Sequence, residues 1–384
     1  MSGGRRRIGI LTPGFSASEQ DWCVPALLDL VRTLAREDDV RVFALRYPHS
    51  REPYTVCGAR VLPFGAEQRR GLHRLPLYAR ALSALAEEAR SRPFHVLHAL
   101  WADEPGALAV LAARRMDTAA VVSILGGELA DIPDIGYGGQ RGLVDRRLTA
   151  SALRLADRVT VGSRWLKERQ LPRRAALSWR VLPLGVDTAR FAPGPVEPSA
   201  RRLPGQRKLL HVASLVPVKD QGTLLRAFAL LLRRVPAAHL SIAGDGPLRG
   251  ELQSLAAELG IAERVLFLGA LPHEELPGLY RQADVFALSS RFESQAMVVL
   301  EAAASGCPTV GTAVGMVPEL REGARSVPPA DPEALASALA DVLGDEEERR
   351  RMGAAALSIA RERFSLEVTV AAFRALYDEV IRGA

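Results

Sequence analysis

The stretch "KLLHVASLVPVKDQGTLLRAFALLLRR", from Lys208 to Arg234, contains a predicted strand, loop and helix in succession. Its first residues are mostly Leu, Val and Ala, which is typical of a strand buried on both faces of a sheet. Its last residues, from Gly222 onward, repeat apolar side chains at helical spacing. The polar loop between them carries Lys219. Because parallel strands need a crossover connection, this stretch predicts one βα unit of a parallel sheet.

Similar units follow one another along the whole chain, which has 384 residues, 48% of them hydrophobic. A chain of this length can build two domains with separate cores. The predicted strands are Ile8–Leu11, Val40–Leu45, Val96–Ala99, Ala119–Ile124, Arg158–Val161 and Arg180–Leu182, then Lys208–Ala213, Ala238–Ala243, Arg264–Phe267, Val285–Ala287, Thr309–Gly311 and Ala324–Val327. The predicted helices are Val24–Ala35, Leu75–Arg90, Pro105–Arg115, Leu143–Ala156, Gly222–Arg234, Leu248–Leu259, Leu276–Gln282, Met297–Ser305, Pro332–Leu343, Glu346–Arg361 and Leu366–Ile381.

The segment "FAPGPVEPSARRLPGQR", residues 191–207, has four prolines, two glycines and no apolar periodicity. This composition is typical of a linker. We therefore expect a first domain at residues 1–190 and a second at residues 208–365, followed by a last helix within residues 366–384.

Charge is divided unevenly between the two halves of the chain. Residues 1–190 hold 29 Lys and Arg against 20 Asp and Glu, whereas residues 191–384 hold 21 against 24. The basic first half indicates an anionic partner (a membrane surface, a phosphorylated lipid or a nucleic acid) or else an arginine-rich solvated surface. No nucleic-acid-binding module is recognisable, so we expect no nucleic acid partner. Helix Leu75–Arg90, whose apolar stripe is flanked by arginines, would either lie on a membrane or pack on its own domain.

No apolar run approaches the roughly 20 residues that cross a bilayer, and "MSGGRRRIGILTPG" at the start lacks the apolar core of a signal peptide. We therefore expect a cytoplasmic protein, with peripheral contact at the inner face of the membrane as a further expectation. The three cysteines lack metal-ligand spacing, and no acidic pair is suited to holding a metal on a diphosphate. Neither a metal nor another cofactor is expected.

A second stretch, "SRFESQAMVVLEAAASG" from Ser290 to Gly306, sets Glu293 and Glu301 eight residues apart around a small, apolar segment. Two such residues are ordinarily a solvated loop acid and an ordinary helix residue. Were the whole segment helical, the two carboxylates would lie about 12 Å apart along the axis, too far to share a proton. Gly306 is expected to end the helix.

Ligands of open α/β sheets bind beyond the carboxyl ends of the strands, where this chain has three loops of interest. Gly14 follows the first strand, Lys219 follows the strand of the opening stretch, and Gly244 begins the turn "GDG" after another strand. Gly14 is either a plain turn or a close backbone approach to a ligand. Gly244, with Asp245 and Gly246, predicts a tight turn between strand and helix. Lysine occurs only at positions 167, 208 and 219 of this arginine-rich chain. This usage favours a phosphate contact for Lys219 beside its helix.

In order, the stretches "ADRVTVGSRWLK", "LVPVKDQGTLLRAF", "IAGDGPLRGELQSLAAELGIAERVLFLGAL" and "ADVFALSSRFESQAMVVLEAAASGCPTV" closely resemble the retaining nucleotide-sugar enzymes of glycosyltransferase family 4. The resemblance is strong from about Asp157 to the end and looser before it. It implies the GT-B fold, an α/β architecture of two Rossmann-like doubly wound parallel-sheet domains facing a cleft. It also implies that the C-terminal helix crosses back to the first domain.

In the enzymes that the chain resembles, the first Glu of the motif holds hydroxyls of the donor sugar and the second holds the ribose hydroxyls. The resemblance gives these roles to Glu293 and Glu301. It also implies that Lys219 contacts the donor phosphates and that Leu271 meets the base through its backbone. Ser214 stands where the family has an arginine beside the lysine. Backbone N–H groups facing the pyrophosphate would come from Gln295, Ala296, Met297 and Val298.

In its first domain the family often has a histidine after a central strand, and Leu125 takes that position here. His98, at the end of another strand, is a second candidate for a place near the reacting sugar, or else a structural histidine. The loop after Leu125 could meet the sugar or the acceptor through Gly126, Gly127, Glu128 and Asp131.

The resemblance implies a retaining hexosyltransferase that uses a UDP- or GDP-linked donor, with an acceptor that is anionic or lipid-linked. No carboxylate is convincingly placed to act as a nucleophile on the sugar, which argues against a double displacement. The resemblance implies front-face attack instead, with the leaving diphosphate stabilised by Lys219 and by helix N-terminal amides. The alternatives are a catalytically silent nucleotide-sugar-binding homologue, a nucleotide-sugar epimerase and a phosphorylase.

Overall fold

Two sheets organise the chain in a computed structural model, which describes residues 5–21, 23–65, 74–170, 179–195 and 206–383. Each sheet belongs to its own unit of the chain. The first unit comprises Met1–Gly185 together with Leu366–Ala384, and the second comprises Val186–Ser365. Two α/β domains are therefore present, as expected, and the last helix belongs to the first of them.

The sheet of the first unit is nearly all parallel. Its strands are β1 (Arg7–Gly14), β2 (Asp39–Tyr47), β3 (Tyr54–Val56), β4 (Ala59–Pro63), β5 (Val96–Leu100), β6 (Ala119–Ile124), β7 (Arg158–Val161) and β8 (Trp179–Val181). They lie in the order β3-β4-β2-β1-β5-β6-β7-β8, and among these described strands only β3 runs antiparallel to its neighbour. Every residue of β5 and β6 is buried, as in parallel strands that are covered on both faces.

The sheet of the second unit is parallel throughout its described strands. These are β9 (Arg207–Val212), β10 (Ala238–Ala243), β11 (Val265–Gly269), β12 (Val285–Leu288), β13 (Thr309–Thr312) and β14 (Ala324–Val327). They lie in the order β11-β10-β9-β12-β13-β14. Their apolar side chains form a core with α6 and α10, the helices Gln221–Leu231 and Pro332–Gly344.

The remaining helices follow the predicted pattern closely. In the first unit they are α1 (Pro25–Leu34), α2 (Leu75–Ser91), α3 (Glu104–Met116), α4 (Leu143–Leu155), α5 (Arg164–Gln170) and α12 (Leu366–Gly383), and in the second α7 (Arg249–Glu258), α8 (Leu276–Gln282), α9 (Met297–Ala304) and α11 (Glu346–Phe364). The second half of α12 lies in the core of the first unit, where Phe373 and Tyr377 are fully buried. Arg374 on the same helix binds Asp38 over 3.0 Å. The expected return of the last helix is therefore confirmed.

The sequence prediction missed β3, β4 and α5. A three-residue strand such as β3 is too short to show the alternation of a half-buried strand, and the seven residues of α5 span only about two turns. Of the predicted linker, residues 196–205 lie outside the described residues. At the start of the predicted linker, Phe191 packs within the second unit, with its ring centroid 5.2 Å from that of His273. At its end Arg207 begins β9.

Each sheet has one place where the strand order reverses. In the first sheet this place lies between β1 and β5, and in the second it lies between β9 and β12. Loops at the carboxyl ends of two such strands diverge and leave a crevice, which is the usual ligand site of an open α/β sheet. The loops after β9 and β12 carry Lys219 and Glu293 to this place in the second unit.

Candidate functional site

The loops that follow β9 and β12 bring Lys219 and Glu293 together. Lys219 Nζ lies 2.6 Å from Glu293 Oε1, and the Ser290 hydroxyl donates to the same oxygen over 2.7 Å. The Ser289 hydroxyl donates to the Lys219 carbonyl over 2.8 Å, which ties one loop to the other. The Lys219 and Glu293 side chains are only 25% and 11% exposed. The crevice therefore holds a partly desolvated cation and carboxylate, both able to make strong charge-assisted hydrogen bonds.

The backbone just before α9 has an unusual conformation. Ala296 has a φ of +71°, a left-handed value that is uncommon for a residue with a side chain. Gly315 has a φ of +55°, and a Cβ there would lie 2.5 Å from the Gln295 carbonyl oxygen, so only glycine fits. The first N–H groups of a helix have no partner inside the helix. The start of α9, with Met297 and Val298, thus has the geometry of an anion-binding helix end.

Glu301, one turn into α9, is held by two side chains that the sequence analysis did not single out. His273 Nε2 lies 2.9 Å from Glu301 Oε1, and the Tyr280 hydroxyl donates to Oε2 over 3.0 Å. The Glu301 side chain is 8% exposed. A buried carboxylate with a donor on each oxygen is fixed in orientation. This arrangement suits a residue that binds a ligand better than it suits an ordinary acidic residue on the surface of a helix.

Three further candidates lie in the loops that follow β9, β10 and β11. Gly244 has a φ of +135°, and a Cβ there would collide with the Ala213 carbonyl oxygen, so glycine alone allows this approach. Ser214 is exposed, and its carbonyl accepts a hydrogen bond from Gln221 Nε2 over 3.0 Å. Leu271 is half-buried after β11. These residues line the same end of the sheet as Lys219, but a serine supplies no cation where the family has an arginine.

In the first unit, Gly14 and His98 lie on the two central strands. Gly14 ends β1, where it pairs with Tyr47 of β2. His98 is fully buried in β5, with Nδ1 2.7 Å from the Tyr377 hydroxyl and Nε2 2.7 Å from the Ser123 hydroxyl. Burial lowers the pKa of His98 to about 3. Since both ring nitrogens have protein partners, the geometry favours the structural alternative for His98.

Glu128 organises the loop that follows β6. Its Oε1 accepts hydrogen bonds from the N–H groups of Ala102 and Leu125 over 3.2 and 3.3 Å, and its Oε2 accepts one from Gly126 over 2.7 Å. The residue is 4% exposed. Its carboxylate is therefore turned inward onto backbone donors rather than outward to a ligand.

The other candidates of this loop differ in exposure. Gly127 lies against Tyr137, where a Cβ would come within 2.6 Å of the Tyr137 hydroxyl oxygen. Asp131 is exposed, with Oδ1 3.6 Å from Arg141 Nη1. Of the two candidate carboxylates in this loop, Glu128 and Asp131, solvent reaches Asp131, which stays a candidate contact for an acceptor.

Burial of Glu128 should make the stability of the protein pH-dependent. Burial, together with repulsion from Asp103, raises the pKa of Glu128 to about 7. The folded state then binds more protons than the unfolded state between about pH 4.5 and 7, so the free energy of unfolding falls as pH rises through this window. We expect a lower thermal midpoint at pH 8 than at pH 5, and a smaller difference in Glu128→Gln, which cannot ionise. The matched control is Glu87→Gln on the exposed face of α2; an unchanged difference in Glu128→Gln would contradict the assignment.

Two features are absent from the ranges that the structure describes, namely a metal-binding cluster and a membrane-spanning helix. Within those ranges, no three His, Cys, Asp or Glu side chains are grouped so that they could hold a metal ion. Across the same ranges, no helix is long and apolar enough to cross a membrane. Helix α2 buries Leu77, Ala81 and Leu85 against its own unit. Of the two alternatives for its apolar stripe, packing is therefore the one observed.

Two family models match the chain, one for each unit. The "Glycosyl transferase 4-like domain" matches residues 23–185, and "Glycosyl transferases group 1" matches residues 197–358. Among curated proteins, the GDP-mannose-dependent alpha-(1-6)-phosphatidylinositol monomannoside mannosyltransferase of Mycolicibacterium smegmatis is 38% identical over 217 residues, covering 52% of this chain and 56% of that protein. The D-inositol 3-phosphate glycosyltransferase of Corynebacterium jeikeium is 40% identical over 217 residues, covering 52% of each. The chain thus matches about half the length of these curated relatives.

Solved structures share the whole fold at low identity. Sucrose-phosphate synthase from Thermosynechococcus elongatus superposes with a TM-score of 0.79 at 19% identity, covering 99% of this chain and all of that one. Anabaena HepE in complex with UDP and glucose superposes with a TM-score of 0.74 at 19% identity, covering 98% of this chain and all of that one. These likenesses show the GT-B fold. With the two family models together matching most of its length, the chain belongs to the group 1 glycosyltransferases, and its first unit is a glycosyltransferase 4-like domain.

Proposed function

We propose that the protein is a retaining glycosyltransferase that moves a hexose-type sugar from a UDP- or GDP-linked donor to an acceptor. The observation that carries this proposal is the Lys219–Glu293 pair, 2.6 Å apart at the carboxyl ends of β9 and β12. Glu301 lies on the helix that begins just after this pair. A cation, a helix end and two carboxylates in one crevice match the phosphates, sugar and ribose of a single nucleotide-sugar.

Each part of the donor has a partner of suitable chemistry. Lys219 and the N–H groups at the start of α9 would hold the diphosphate, where negative charge builds as the bond to the sugar breaks. Glu293 would accept hydrogen bonds from hydroxyls of the sugar once Lys219 turns to the phosphates. Glu301 would accept hydrogen bonds from the ribose. These contacts orient the donor so that binding energy is used in the transition state.

The proposed mechanism is front-face attack through an oxocarbenium-like transition state. Glu293 is engaged by Lys219 and by the Ser290 hydroxyl, which suits a residue that orients hydroxyls better than a free nucleophile. The acceptor hydroxyl would enter on the face that the diphosphate leaves, and a diphosphate oxygen would take its proton. Retention of the anomeric configuration follows from this geometry.

The identity of the base and of the acceptor is a finer proposal. By its name, the Mycolicibacterium relative depends on GDP-mannose, whereas Anabaena HepE has been solved with UDP and glucose. The name of the Mycolicibacterium relative gives a phosphatidylinositol monomannoside as its acceptor, and that of the Corynebacterium relative gives D-inositol 3-phosphate. The excess of basic residues in the first half supports an anionic acceptor of this kind, free or lipid-linked.

We further propose peripheral contact between the first unit and anionic lipid. The N-terminal ends of α2 and α4 are tied by Arg74 Nη1 and Asp145 Oδ1, 2.7 Å apart. Beside this bond the apolar side chains of Leu75, Leu143 and Val144 are 56%, 62% and 48% exposed. Exposed arginines follow on both helices, at positions 80, 146 and 147. Apolar side chains among arginines suit the boundary between headgroups and acyl chains.

A vesicle experiment tests this surface. We expect co-sedimentation with vesicles of phosphatidylcholine and phosphatidylinositol to fall severalfold in Leu75→Ser/Leu143→Ser, since two apolar contacts with the bilayer are lost. Leu111→Ser, at another exposed leucine of the first unit, is the matched control. Equal sedimentation of both variants would argue against contact through this surface.

The function itself is tested by turnover. The protein is incubated with GDP-mannose or UDP-glucose, and with D-inositol 3-phosphate or phosphatidylinositol vesicles, while release of nucleoside diphosphate is followed. Nuclear magnetic resonance of the product then gives the anomeric configuration. Transfer with retention is the expected result. The opposite result is a protein that binds a diphosphate but gives neither transfer nor epimerisation with all of these pairs and with a wider panel. This result would favour the silent homologue, which the serine at position 214 supports.

A further inference from the structure

Glu301 meets its ligand with half of its acceptor capacity already used. The carboxylate accepts one hydrogen bond on Oε1 from His273 and one on Oε2 from Tyr280, over 2.9 and 3.0 Å. A carboxylate has about four acceptor positions, two on each oxygen. One position on each oxygen therefore remains for a ligand, which is the arrangement that two neighbouring hydroxyls require.

The proton of His273 can be assigned from its neighbours. Arg190 Nη1 lies 3.2 Å from His273 Nδ1, and a guanidinium can only donate. Nδ1 must therefore be the acceptor, and the proton of the neutral ring lies on Nε2. His273 thus donates from Nε2 to Glu301 Oε1, so Arg190 acts on the carboxylate through the tautomer of the histidine.

Aromatic packing fixes the position of these donors. The Phe191 ring centroid is 5.2 Å from that of His273 and 5.9 Å from that of Tyr280. The Tyr280 ring packs in turn on Phe286 of β12, with centroids 5.7 Å apart. Both donors are therefore anchored to the sheet of the second unit, and the carboxylate between them has little freedom to rotate.

We propose that His273 is a positioning residue that aims Glu301 at the vicinal hydroxyls of a ribose and thereby makes the protein select ribonucleotides over 2'-deoxyribonucleotides. The proposal rests on the assignment of Glu301 to the ribose under the proposed function. With both oxygens anchored, each free acceptor position meets one hydroxyl. Removal of the 2'-hydroxyl leaves a buried acceptor position without a donor, and we expect about a 10- to 100-fold loss of affinity from one lost charge-assisted hydrogen bond.

Two replacements of His273 separate the effect of its hydrogen bond to Glu301 from the effect of its ring packing. His273→Phe keeps an aromatic ring against Phe191 but has no donor for Glu301 Oε1. The carboxylate can then turn, and its unused acceptor position can be met by water instead of the 2'-hydroxyl. We expect the ratio of the two affinities to fall to within about threefold of unity. His273→Gln supplies an amide N–H near the position of Nε2 and should restore most of the discrimination.

The test is calorimetric binding of UDP against 2'-deoxy-UDP, and of GDP against 2'-deoxy-GDP, to the wild type and both variants. Loss of discrimination in His273→Phe with recovery in His273→Gln is the expected result. Wild-type discrimination in His273→Phe, or an equal weakening of both nucleotides, would overturn the proposal, because the histidine would then be purely structural. Equal binding of a ribonucleotide and its 2'-deoxy analogue by the wild type would overturn the proposal for His273 and the ribose. It would not contradict the proposed binding of the diphosphate. A folded wild type that binds none of the four would overturn the proposed donor as well.

Discussion

Replacement of Lys219 by methionine should reduce sugar transfer by about 100- to 1,000-fold, the usual effect of removing one group that stabilises developing charge. Lys219 is 25% exposed and has Glu293 beside it, with Nζ 2.6 Å from Oε1. Methionine keeps the length of the side chain but not its charge. The departing diphosphate would then rely on helix N–H groups alone. Affinity for the free nucleoside diphosphate should fall as well, by about tenfold or more.

Lys167→Met is the matched control for this variant, since it makes the same change of charge on α5 in the first unit. Steady-state release of nucleoside diphosphate gives kcat and KM, and calorimetry gives the affinity for the diphosphate. A Lys219→Met protein that keeps wild-type kcat, with its fold verified by circular dichroism, would show that the lysine does not face the leaving group.

Replacement of Glu293 by glutamine should move binding and transfer in opposite directions. Transfer should fall by about 10- to 100-fold, because a neutral amide is a weaker acceptor for the sugar hydroxyls. Affinity for the free diphosphate should rise by about two- to tenfold, because Lys219 no longer has to leave a carboxylate in order to reach the phosphates. This expectation rests on the proposal that the phosphates compete with Glu293 for the ammonium group of Lys219.

Calorimetry with UDP and GDP measures the change in affinity, and release of diphosphate from the nucleotide-sugar measures the change in transfer. Glu258→Gln, on the exposed face of α7, is the control for loss of one negative charge from the second unit. If diphosphate affinity falls together with transfer, the contact between Lys219 and Glu293 does not compete with donor binding.

The sequence predicted the fold well because its signals are local. Strands such as β6 are continuous apolar runs, and α9 begins at the predicted residue, Met297. The position of Lys219 in a loop between a strand and a helix follows from the same pattern, since both elements are strongly marked, whereas the strand order around it comes from the structure. Short elements such as β3 and α5 were missed because they have too few residues to show a period.

The contacts around the site could not be predicted in this way, because they join residues that are far apart in the chain. His273 and Tyr280 reach Glu301 across 28 and 21 residues, and no local spacing predicts which ring meets which oxygen. The motif "PHEEL" around His273 was visible, but its chemistry depends on packing. The roles given to Lys219, Glu293 and Glu301 themselves stay predictions that the experiments above decide.

The position of α12 has a consequence for the order in which the protein is made. The helix is synthesised after the whole of the second unit, yet Phe373 and Tyr377 fill the core of the first unit, and the Tyr377 hydroxyl contacts His98. The second unit, residues 186–365, can therefore finish folding before α12 is synthesised, whereas the first unit, whose strands are synthesised earlier, cannot complete its core until α12 has been made. This reverses the usual order in which N-terminal domains fold first. Protease resistance of nascent chains arrested before and after residue 366 would reveal the reversal.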